Sequence, residues 1–380
     1  MSDDINIAAP ILGSEELSRI ESVVESGMVA DGPEVREFES EFADDCDADF
    51  GVATSNGTTA LHTALEAAGV GPGDRVLTTP FSFVATANAI RFTGAEPVFA
   101  DIDPQTFNLD PANVEATLEA FDGAVDAMIV VHLYGLPAPM DELRELAAAY
   151  DVTLIEDAAQ AHGATYHGSP VGSLGDAACF SFYPTKNMTT GEGGIVVTDD
   201  EALAERAASF INHGRESDGY RHVSLGHNFR MTSIAAAMGR AQLERLPGFV
   251  ERRRENATRL DDLLADTNAV RPTVPSGYGH SYHQYTIRVG NRDEVVEQLD
   301  DHGIGSGVYY PRCIHEQPAY NDLDVTAPVA ELVCDQVLSL PVHPALDDDA
   351  IERVGTVLRD EVTIEPPTNP ATAPMEVSDD

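Results

Sequence analysis

The chain has 380 residues, of which 43% are hydrophobic and 23% charged, values typical of a globular protein with one large and one smaller domain. Its formal net charge is −43, so a nucleic-acid-binding surface is not expected. No apolar run is long enough to span a bilayer, and the N-terminus lacks the basic-then-apolar order of a signal peptide. We therefore expect a cytoplasmic protein without a membrane partner.

The negative charge is spread along the chain, which predicts a solvated acidic surface and not a single binding tail. With one lysine and no tryptophan, the composition resembles that of proteins from salt-loving cytoplasms. At molar salt the Debye length falls to about 3 Å, so repulsion between surface carboxylates is screened. The four cysteines show no paired metal-ligand spacing, and we interpret them as reduced structural residues and predict no metal site.

The first half of the chain begins with an extended arm and two predicted helices, at 14–27 and 33–46. A strand, a turn and a helix start are predicted at 51–62. Apolar or β-branched runs then alternate with helical patterns, which predicts an α/β fold with a mixed, mostly parallel sheet and helices on both faces. The predicted strands are 75–79, 96–100, 128–131 and 153–156, and the helices between them are 83–93, 111–120 and 140–150.

The second half predicts a helix at 201–210, a long polar loop at 212–228, and two long helices at 232–246 and 249–267. The remainder has the pattern of a compact α+β domain. The predicted domains are a large cofactor-binding domain at 10–248, a small C-terminal domain at 249–362 that includes the arm 1–9, and a disordered tail at 363–380.

Lys186 is the only lysine in the chain, and the other permanently basic side chains are arginines. A lysine amine can lose its proton in a desolvated pocket and attack a carbonyl, which an arginine does not do. Lys186 follows the apolar run 178–182 and precedes a glycine-rich turn. Loops that follow buried strands often carry binding or catalytic residues. That lysine is rare in this chain does not by itself exclude that Lys186 is an ordinary surface residue.

Asp157 directly follows the predicted strand 153–156, and together with Lys186 it suits pyridoxal phosphate. Lys186 would bind the cofactor aldehyde as an imine, while Asp157 would pair with the pyridine nitrogen and keep it protonated. Gln160, nearly one helical turn further on, could donate to the ring hydroxyl. Taken alone, Asp157 could equally cap the helix after its strand.

A phosphate-binding site needs amides, hydroxyls and small residues that let the backbone approach the ligand. The stretch 55–62 has this composition, although an ordinary capped helix would look the same. Phe83 is the candidate for the aromatic face over the cofactor ring, since an aromatic face usually covers the ring, although an apolar residue in such a run is core by default. The candidate phosphate-binding residues are Gly57, Thr58, Thr59, Ser181 and Asn228.

A series of stretches in unbroken order over residues 5–362 carries a family resemblance. They are Ser55-Asn-Gly-Thr-Thr-Ala-Leu-His62, Pro80-Phe-Ser-Phe-Val-Ala-Thr86, Glu156-Asp-Ala-Ala-Gln-Ala-His-Gly163, Ser181-Phe-Tyr-Pro-Thr-Lys-Asn187, Gly191-Glu-Gly-Gly194, Asn228-Phe-Arg-Met231 and Tyr309-Tyr-Pro-Arg-Cys-Ile-His315. Together they resemble the DegT/DnrJ/StrS family of sugar aminotransferases. The resemblance implies fold type I of the pyridoxal-phosphate-dependent transferases and a homodimer with shared active sites, in which Asn228 reaches the cofactor phosphate of the neighbouring subunit.

The resemblance also implies a reaction, the transamination of a ketone at C3 or C4 of a nucleotide-linked sugar with glutamate as donor, for amino-sugar and glycan biosynthesis. Because the cofactor, the donor and the nucleotide are anions, positive groups must be concentrated near the site. The candidate substrate-binding residues are Arg230, Arg215, Arg312, Tyr309 and His315.

Three alternatives remain open at this point. Some members of the family dehydrate the sugar, but in those the lysine is replaced by histidine, so Lys186 argues against that activity. A regulatory or sugar-binding homologue could keep the fold without catalysis. A cysteine desulfurase would use the same fold type, but no cysteine lies in an identifiable catalytic loop.

Overall fold

The computed structural model describes residues 4–216 and 219–369, in which helices and strands alternate along most of the chain. The helices are α1 (Ser14–Ser26), α2 (Pro33–Asp45), α3 (Gly57–Ala68), α4 (Ala85–Thr93), α5 (Pro111–Ala120), α6 (Met140–Tyr150), α7 (Glu201–Phe210), α8 (Ser233–Leu263), α9 (Arg292–Asp301), α10 (Pro328–Cys334) and α11 (Asp348–Asp360). The strands are β1 (Phe50–Thr54), β2 (Arg75–Thr78), β3 (Glu96–Phe99), β4 (Ala127–Val131), β5 (Thr153–Asp157), β6 (Thr165–Tyr166), β7 (Ser169–Pro170), β8 (Ala177–Ser181), β9 (Gly194–Thr198), β10 (Tyr278–Gly279), β11 (Tyr285–Arg288) and β12 (Val337–Leu340).

The largest sheet has the strand order β1-β9-β8-β5-β4-β2-β3. From β8 to β3 every neighbouring pair is parallel, whereas β9 is antiparallel to both β1 and β8. Apolar side chains are buried on both faces, as expected for a sheet covered by helices. The predicted mixed, mostly parallel sheet is confirmed. Its register pairs Asp157 with Val131 on one side and with Cys179 on the other, so the ends of β4, β5 and β8 lie side by side.

The start of α3 is fixed by a side-chain cap. The side chain of Asn56 accepts a hydrogen bond of 2.9 Å from the backbone N–H of Thr59, and the Thr59 hydroxyl accepts one of 3.1 Å from the N–H of Asn56. The N–H groups of Gly57 and Thr58 belong to the first turn, where a helix offers no internal acceptor. The cap therefore leaves two backbone donors for a ligand.

Helix α8 corrects the prediction of two helices at 232–246 and 249–267, because it runs through Pro247 without a break. Proline lacks an N–H and removes one helical hydrogen bond, which is why the sequence favours a break there. The helix continues because both halves are buried, with Val250 in the core of the large sheet and Ala257 in the core of the small domain. Like the other helices in the described ranges, α8 lacks the combination of length and apolarity that a membrane span needs.

A separate core lies beneath the two-stranded antiparallel sheet of β11 and β12, packed by α9, α11 and the second half of α8. The N-terminal arm joins this core, since Ile5 is buried in it and bridges to Ile304. Residues 363–369, where we predicted a disordered tail, are hydrogen-bonded to the same unit: the N–H of Gly290 donates to the carbonyl of Glu365 at 2.8 Å. The rest of that predicted tail, 370–380, lies outside the described residues.

Candidate active site

The ends of β4, β5 and β8, the start of α3 and a segment of the small domain enclose a cavity of about 670 Å³. A ligand is expected at this edge of a parallel sheet. The cavity wall brings together many of the residues that the sequence singled out, namely Lys186, Asp157, Gln160, Gly57, Thr58, Thr59, Phe83, Ser181 and Tyr309.

Lys186 follows β8 and lies in the wall of the cavity near Asp157. Burial lowers the pKa of its amine from 10.5 to about 8, against the opposing effect of the Asp157 charge. A shift of this size raises the neutral fraction of the amine at pH 7 by roughly 300-fold. Lys186 therefore has a much larger fraction of the neutral amine that a nucleophile requires than an exposed lysine has, while the charge of Asp157 stabilises the protonated fraction.

Asp157 ends β5 and is 6% exposed. Its carboxylate accepts hydrogen bonds from the Thr86 hydroxyl at 2.8 Å and from the N–H of Ala159 at 3.2 Å. Burial raises its pKa, and these hydrogen bonds together with the charge of Lys186 oppose that rise. A buried carboxylate at this place is stabilised by a cationic ligand, so it fits the protonated nitrogen of a pyridine ring.

One part of the cavity wall is formed where α3 meets β8. Gly57 approaches Ser181 so closely that a Cβ added to it would lie 2.6 Å from the Ser181 Cβ. Within the described residues no protein acceptor is given for the N–H of Gly57 or of Thr58. Two free amides at a helix N-terminus beside a serine hydroxyl form a site for a phosphate. Thr59 lines the cavity too, but its hydroxyl and N–H serve the cap of α3.

Another part of the cavity wall is built around Gln160, which is 6% exposed. Its side-chain oxygen accepts from the N–H of Tyr134 at 2.7 Å, and its amide nitrogen donates to the Tyr310 hydroxyl at 3.1 Å. Phe83 is 55% exposed, and its ring centroid lies 6.0 Å from that of Tyr310. This part of the wall therefore offers an aromatic surface and side-chain donors. Both suit a planar ring that carries a hydroxyl group.

Two of the predicted substrate arginines are placed outside the cavity wall. Arg230 donates to the side-chain oxygen of Asn212 at 2.6 Å. Arg215 lies over the ring of Tyr220, 5.5 Å from its centroid. Arg215 belongs to the long polar segment predicted at 212–228, and Arg230 follows it. None of the described residues of that segment lines the cavity.

Three further candidates also lie away from the cavity wall. Asn228 is exposed, and Arg312 is exposed with only a long contact of 3.4 Å to the carbonyl of Glu316. His315 is 7% exposed and its Nε2 lies 3.0 Å from a carboxylate oxygen of Glu331, so the structure does not bring it to the cavity. Its partner Glu331 is only partly buried, and the position of His315 in a loop near Tyr309 gave no signal of that partner.

The cavity also contains residues to which the sequence assigned no role. Thr86 and Tyr310 lie within the matched stretches, yet their contacts depend on residues distant in the chain. Glu192 comes from the glycine-rich turn after Lys186, and His283 from the small domain. Burial lowers the pKa of His283 well below its usual value, so it is a neutral side chain at physiological pH.

A lysine amine whose pKa is lowered by burial, in one cavity with a carboxylate that can keep a pyridine ring protonated, is what a pyridoxal-phosphate-dependent transaminase of fold type I requires. The fold supplies this arrangement at the edge where such enzymes bind their cofactor. The chain belongs to the DegT/DnrJ/EryC1/StrS aminotransferase family, whose sequence pattern matches residues 10–359. The predicted family, fold type, enzyme class and cofactor are confirmed.

Relatives cover nearly the whole chain. A pleiotropic regulatory protein of Geobacillus stearothermophilus is 42% identical over 345 residues, which are 89% of this chain and 92% of that protein. A UDP-N-acetyl-3-dehydro-alpha-D-glucosamine 3-aminotransferase of Acidithiobacillus ferrooxidans is 39% identical over 350 residues, 92% of this chain and 94% of that protein. The crystal structure of S. venezuelae DesV in complex with a ketimine intermediate has a TM-score of 0.88 and 38% identity, covering 92% of this chain and 95% of that chain.

Proposed function

We propose that this protein transfers the amino group of glutamate to a ketone at C3 or C4 of a nucleotide-linked sugar. The observation that carries the proposal is the single lysine with a pKa of about 8, in one cavity with Asp157 and the free amides of α3. The sugar substrate is supported by the name of the Acidithiobacillus ferrooxidans relative. The cavity of about 670 Å³ is large enough to admit both a cofactor and a sugar ring.

Each cavity residue has a definite task in this reaction. When bound, pyridoxal phosphate supplies an aldehyde that takes up the amino group and a ring that withdraws electrons from the carbon that loses a proton. Lys186 would hold the cofactor through its Nζ, and its free amine would carry the proton to and from the α-carbon of the donor. Asp157 would hold the proton on the ring nitrogen, and Gly57, Thr58 and Ser181 would bind the phosphate.

We also propose that the active site is completed by a second copy of the chain. Within the cavity wall formed by the described residues, Lys186 is the only lysine or arginine, yet the donor and the nucleotide are anions. Asn228 and Arg230 lie on an exposed or half-buried segment away from that wall, where a second subunit could receive them. In this arrangement Asn228 binds the phosphate and Arg230 a carboxylate or diphosphate across the dimer interface.

A mixing experiment tests the shared site. Lys186→Ala and Arg230→Ala homodimers should each be nearly inactive, whereas mixing and reassociation should restore activity in about a quarter of all sites, as random pairing gives. The same recovery is expected for Lys186→Ala with Asn228→Ala. If the mixtures stay as inactive as the parents, while native dimers dissociate and reassociate normally, Arg230 and Asn228 do not act across the interface.

The alternatives make different demands on the same residues. A sugar dehydratase of this family would carry histidine in place of Lys186. A cysteine desulfurase needs a reactive thiol, but Cys46, Cys179, Cys313 and Cys334 are all buried and absent from the cavity wall. The name of the pleiotropic regulatory protein of Geobacillus stearothermophilus favours a non-catalytic role. The presence of a lysine, a carboxylate and a proposed phosphate site in one cavity favours catalysis instead.

The experiment is a screen of nucleotide-linked 3-keto and 4-keto sugars with glutamate and the cofactor-loaded protein in high salt. We expect 2-oxoglutarate and amino-sugar to form in equal amounts with at least one ketone, and Lys186→Arg to abolish both products. Turnover of the sugar without glutamate would identify a dehydratase. If no ketone in the panel is aminated although the cofactor is bound, the proposed reaction is wrong.

A further inference from the structure

Two of the four cysteines are in direct contact inside the protein. The Sγ atoms of Cys313 and Cys334 lie 3.1 Å apart, and both side chains are buried in the same apolar cluster. A disulfide bond is about 2.05 Å long, so a displacement of about 1 Å would bring the two sulfurs to bonding distance. Cys46 and Cys179 are also buried, but each belongs to a different core, and within the described residues the structure gives neither of them a sulfur neighbour.

The cysteine pair is not suited to hold a metal ion. Structural zinc takes four protein ligands, and in residues 4–216 and 219–369 no group of three or more His, Cys, Asp or Glu side chains could hold a metal. The cluster around the two sulfurs is formed by apolar and aromatic side chains such as Phe81 and Val333. A thiol is only a weak donor and a weak acceptor, so the contact between the two thiols adds little stability by itself. Oxidation is the chemistry for which two sulfurs suffice.

The two cysteines connect a segment of the cavity wall to a helix. Tyr309 and Tyr310 line the cavity, and Cys313 lies shortly after them on the same segment. Both tyrosines pack against the apolar cluster that contains the cysteines. Cys334 is the last residue of α10, 21 positions further along the chain than Cys313. A bond between the two sulfurs would therefore tie the tyrosine segment covalently to α10.

We propose that Cys313 and Cys334 form an intramolecular disulfide when the protein meets a small peroxide oxidant such as hydrogen peroxide. One thiolate sulfur attacks the peroxide and is oxidised to a sulfenic acid, and hydroxide leaves. The second sulfur attacks the sulfenic sulfur, the S–S bond forms, and the sulfenic oxygen departs as water. The hydroxide takes up the remaining proton. Overall the two thiols lose two protons and two electrons, and one hydrogen peroxide is reduced to two molecules of water.

Burial and proximity together determine which cysteines react. Contact with Cys334 and burial raise the pKa of the Cys313 thiol, so its reactive thiolate is rare and oxidation is slow near neutral pH. Burial also raises the pKa values of Cys46 and Cys179, and these two have no second sulfur with which to complete a disulfide. The bond should therefore form selectively, at a rate that rises with pH. Once formed, it is shielded from thiol reductants in the folded protein because both sulfurs are buried.

The test is thiol counting on the complete chain in high salt, before and after treatment with hydrogen peroxide at mildly alkaline pH. The protein is then denatured and alkylated, and its peptides are mapped by mass spectrometry. We expect all four cysteines to be alkylated before oxidation and only Cys46 and Cys179 after it, with Cys313 linked to Cys334. The unfolding temperature of the oxidised protein should rise, since the bond constrains the unfolded chain.

Cys313→Ser should show neither the link nor the rise in unfolding temperature, whereas the matched control Cys46→Ser should show both. Four alkylated cysteines after prolonged oxidation, a sulfinic acid in place of the link, or a link to Cys46 or Cys179 would overturn the proposal. If Cys313→Ser does not fold, the peptide map of the native protein still decides. The measurement contains neither cofactor nor sugar, so its result is independent of whether the protein proves to be a sugar aminotransferase.

Discussion

The phosphate site proposed between α3 and β8 provides a sharp structural prediction for the variant Gly57→Ala. The added Cβ would lie 2.6 Å from the Cβ and 3.0 Å from the Oγ of Ser181. Carbon atoms attract at about 3.5–4.0 Å, so α3 and β8 must separate by about 1 Å. Overpacking of this kind costs about 1–3 kcal/mol of unfolding free energy. A displacement of 1 Å also weakens one charge-assisted hydrogen bond to the phosphate, which corresponds to about ten- to hundredfold in cofactor affinity.

The assay combines denaturant unfolding with spectroscopic titration of the cofactor, both in high salt. Gly71→Ala is the matched control, because an added Cβ at Gly71 meets no atom within 4 Å. Combining Gly57→Ala with Ser181→Gly should recover part of the lost stability, since the clashing atoms are gone, but not the affinity, since the hydroxyl is gone too. Cofactor affinity in Gly57→Ala within twofold of that in Gly71→Ala would refute the placement of the phosphate between α3 and β8.

Three further predictions concern the carboxylate, the amine and the surface. Thr86→Val removes the 2.8 Å hydrogen bond to Asp157, so kcat should fall about tenfold or more. Thr86→Ser keeps the hydroxyl and should stay near the native rate. Equal rates for the two variants would contradict this role of Thr86. Burial lowers the pKa of Lys186 to about 8. The cofactor-free protein should therefore react with a small carbonyl reagent at a rate that rises with pH and levels off above pH 8. A rate that still rises at pH 10 would show an ordinary lysine. The protein has a net charge of −43, and the Debye length falls from about 10 Å at 0.1 M salt to about 3 Å at 1 M. The unfolding temperature should therefore rise over this range of salt concentration. An unfolding temperature that does not change with salt would show that repulsion between surface charges does not limit stability.

The sheet could be predicted because its strands are buried on both faces and therefore read as continuous apolar runs. The positions of Asp157 and Lys186 at the ends of such runs were sufficient to place them together. The uninterrupted course of α8 was missed because local propensity at Pro247 is overruled by burial of both halves of the helix. The two-residue strands β6, β7 and β10 carry no periodic pattern, and long-range pairing alone defines them.

Within the site, residues whose role follows from backbone position were predictable, and residues whose role follows from side-chain partners were not. Gly57 could be predicted from the composition of a helix start. No signal in the sequence indicated that His315 would lie outside the cavity wall, because its partner Glu331 lies on α10, 16 residues further along the chain. Tyr310 was passed over because its hydrogen bond to Gln160 joins residues distant in the chain. The anionic ligands led us to expect arginines near the cavity, but among the residues that the structure describes no arginine lines it in a single chain.

The central claim is that Lys186 binds the cofactor covalently. It is tested most directly by borohydride reduction of the cofactor-loaded protein, followed by digestion and mass spectrometry of the peptides. We expect the peptide that contains Lys186 to carry the additional mass of the reduced cofactor, in close to one copy per chain. The corresponding peptide of Lys186→Arg should not carry this mass. Retention of the cofactor without attachment to Lys186, or attachment to an α-amino group instead, would contradict it.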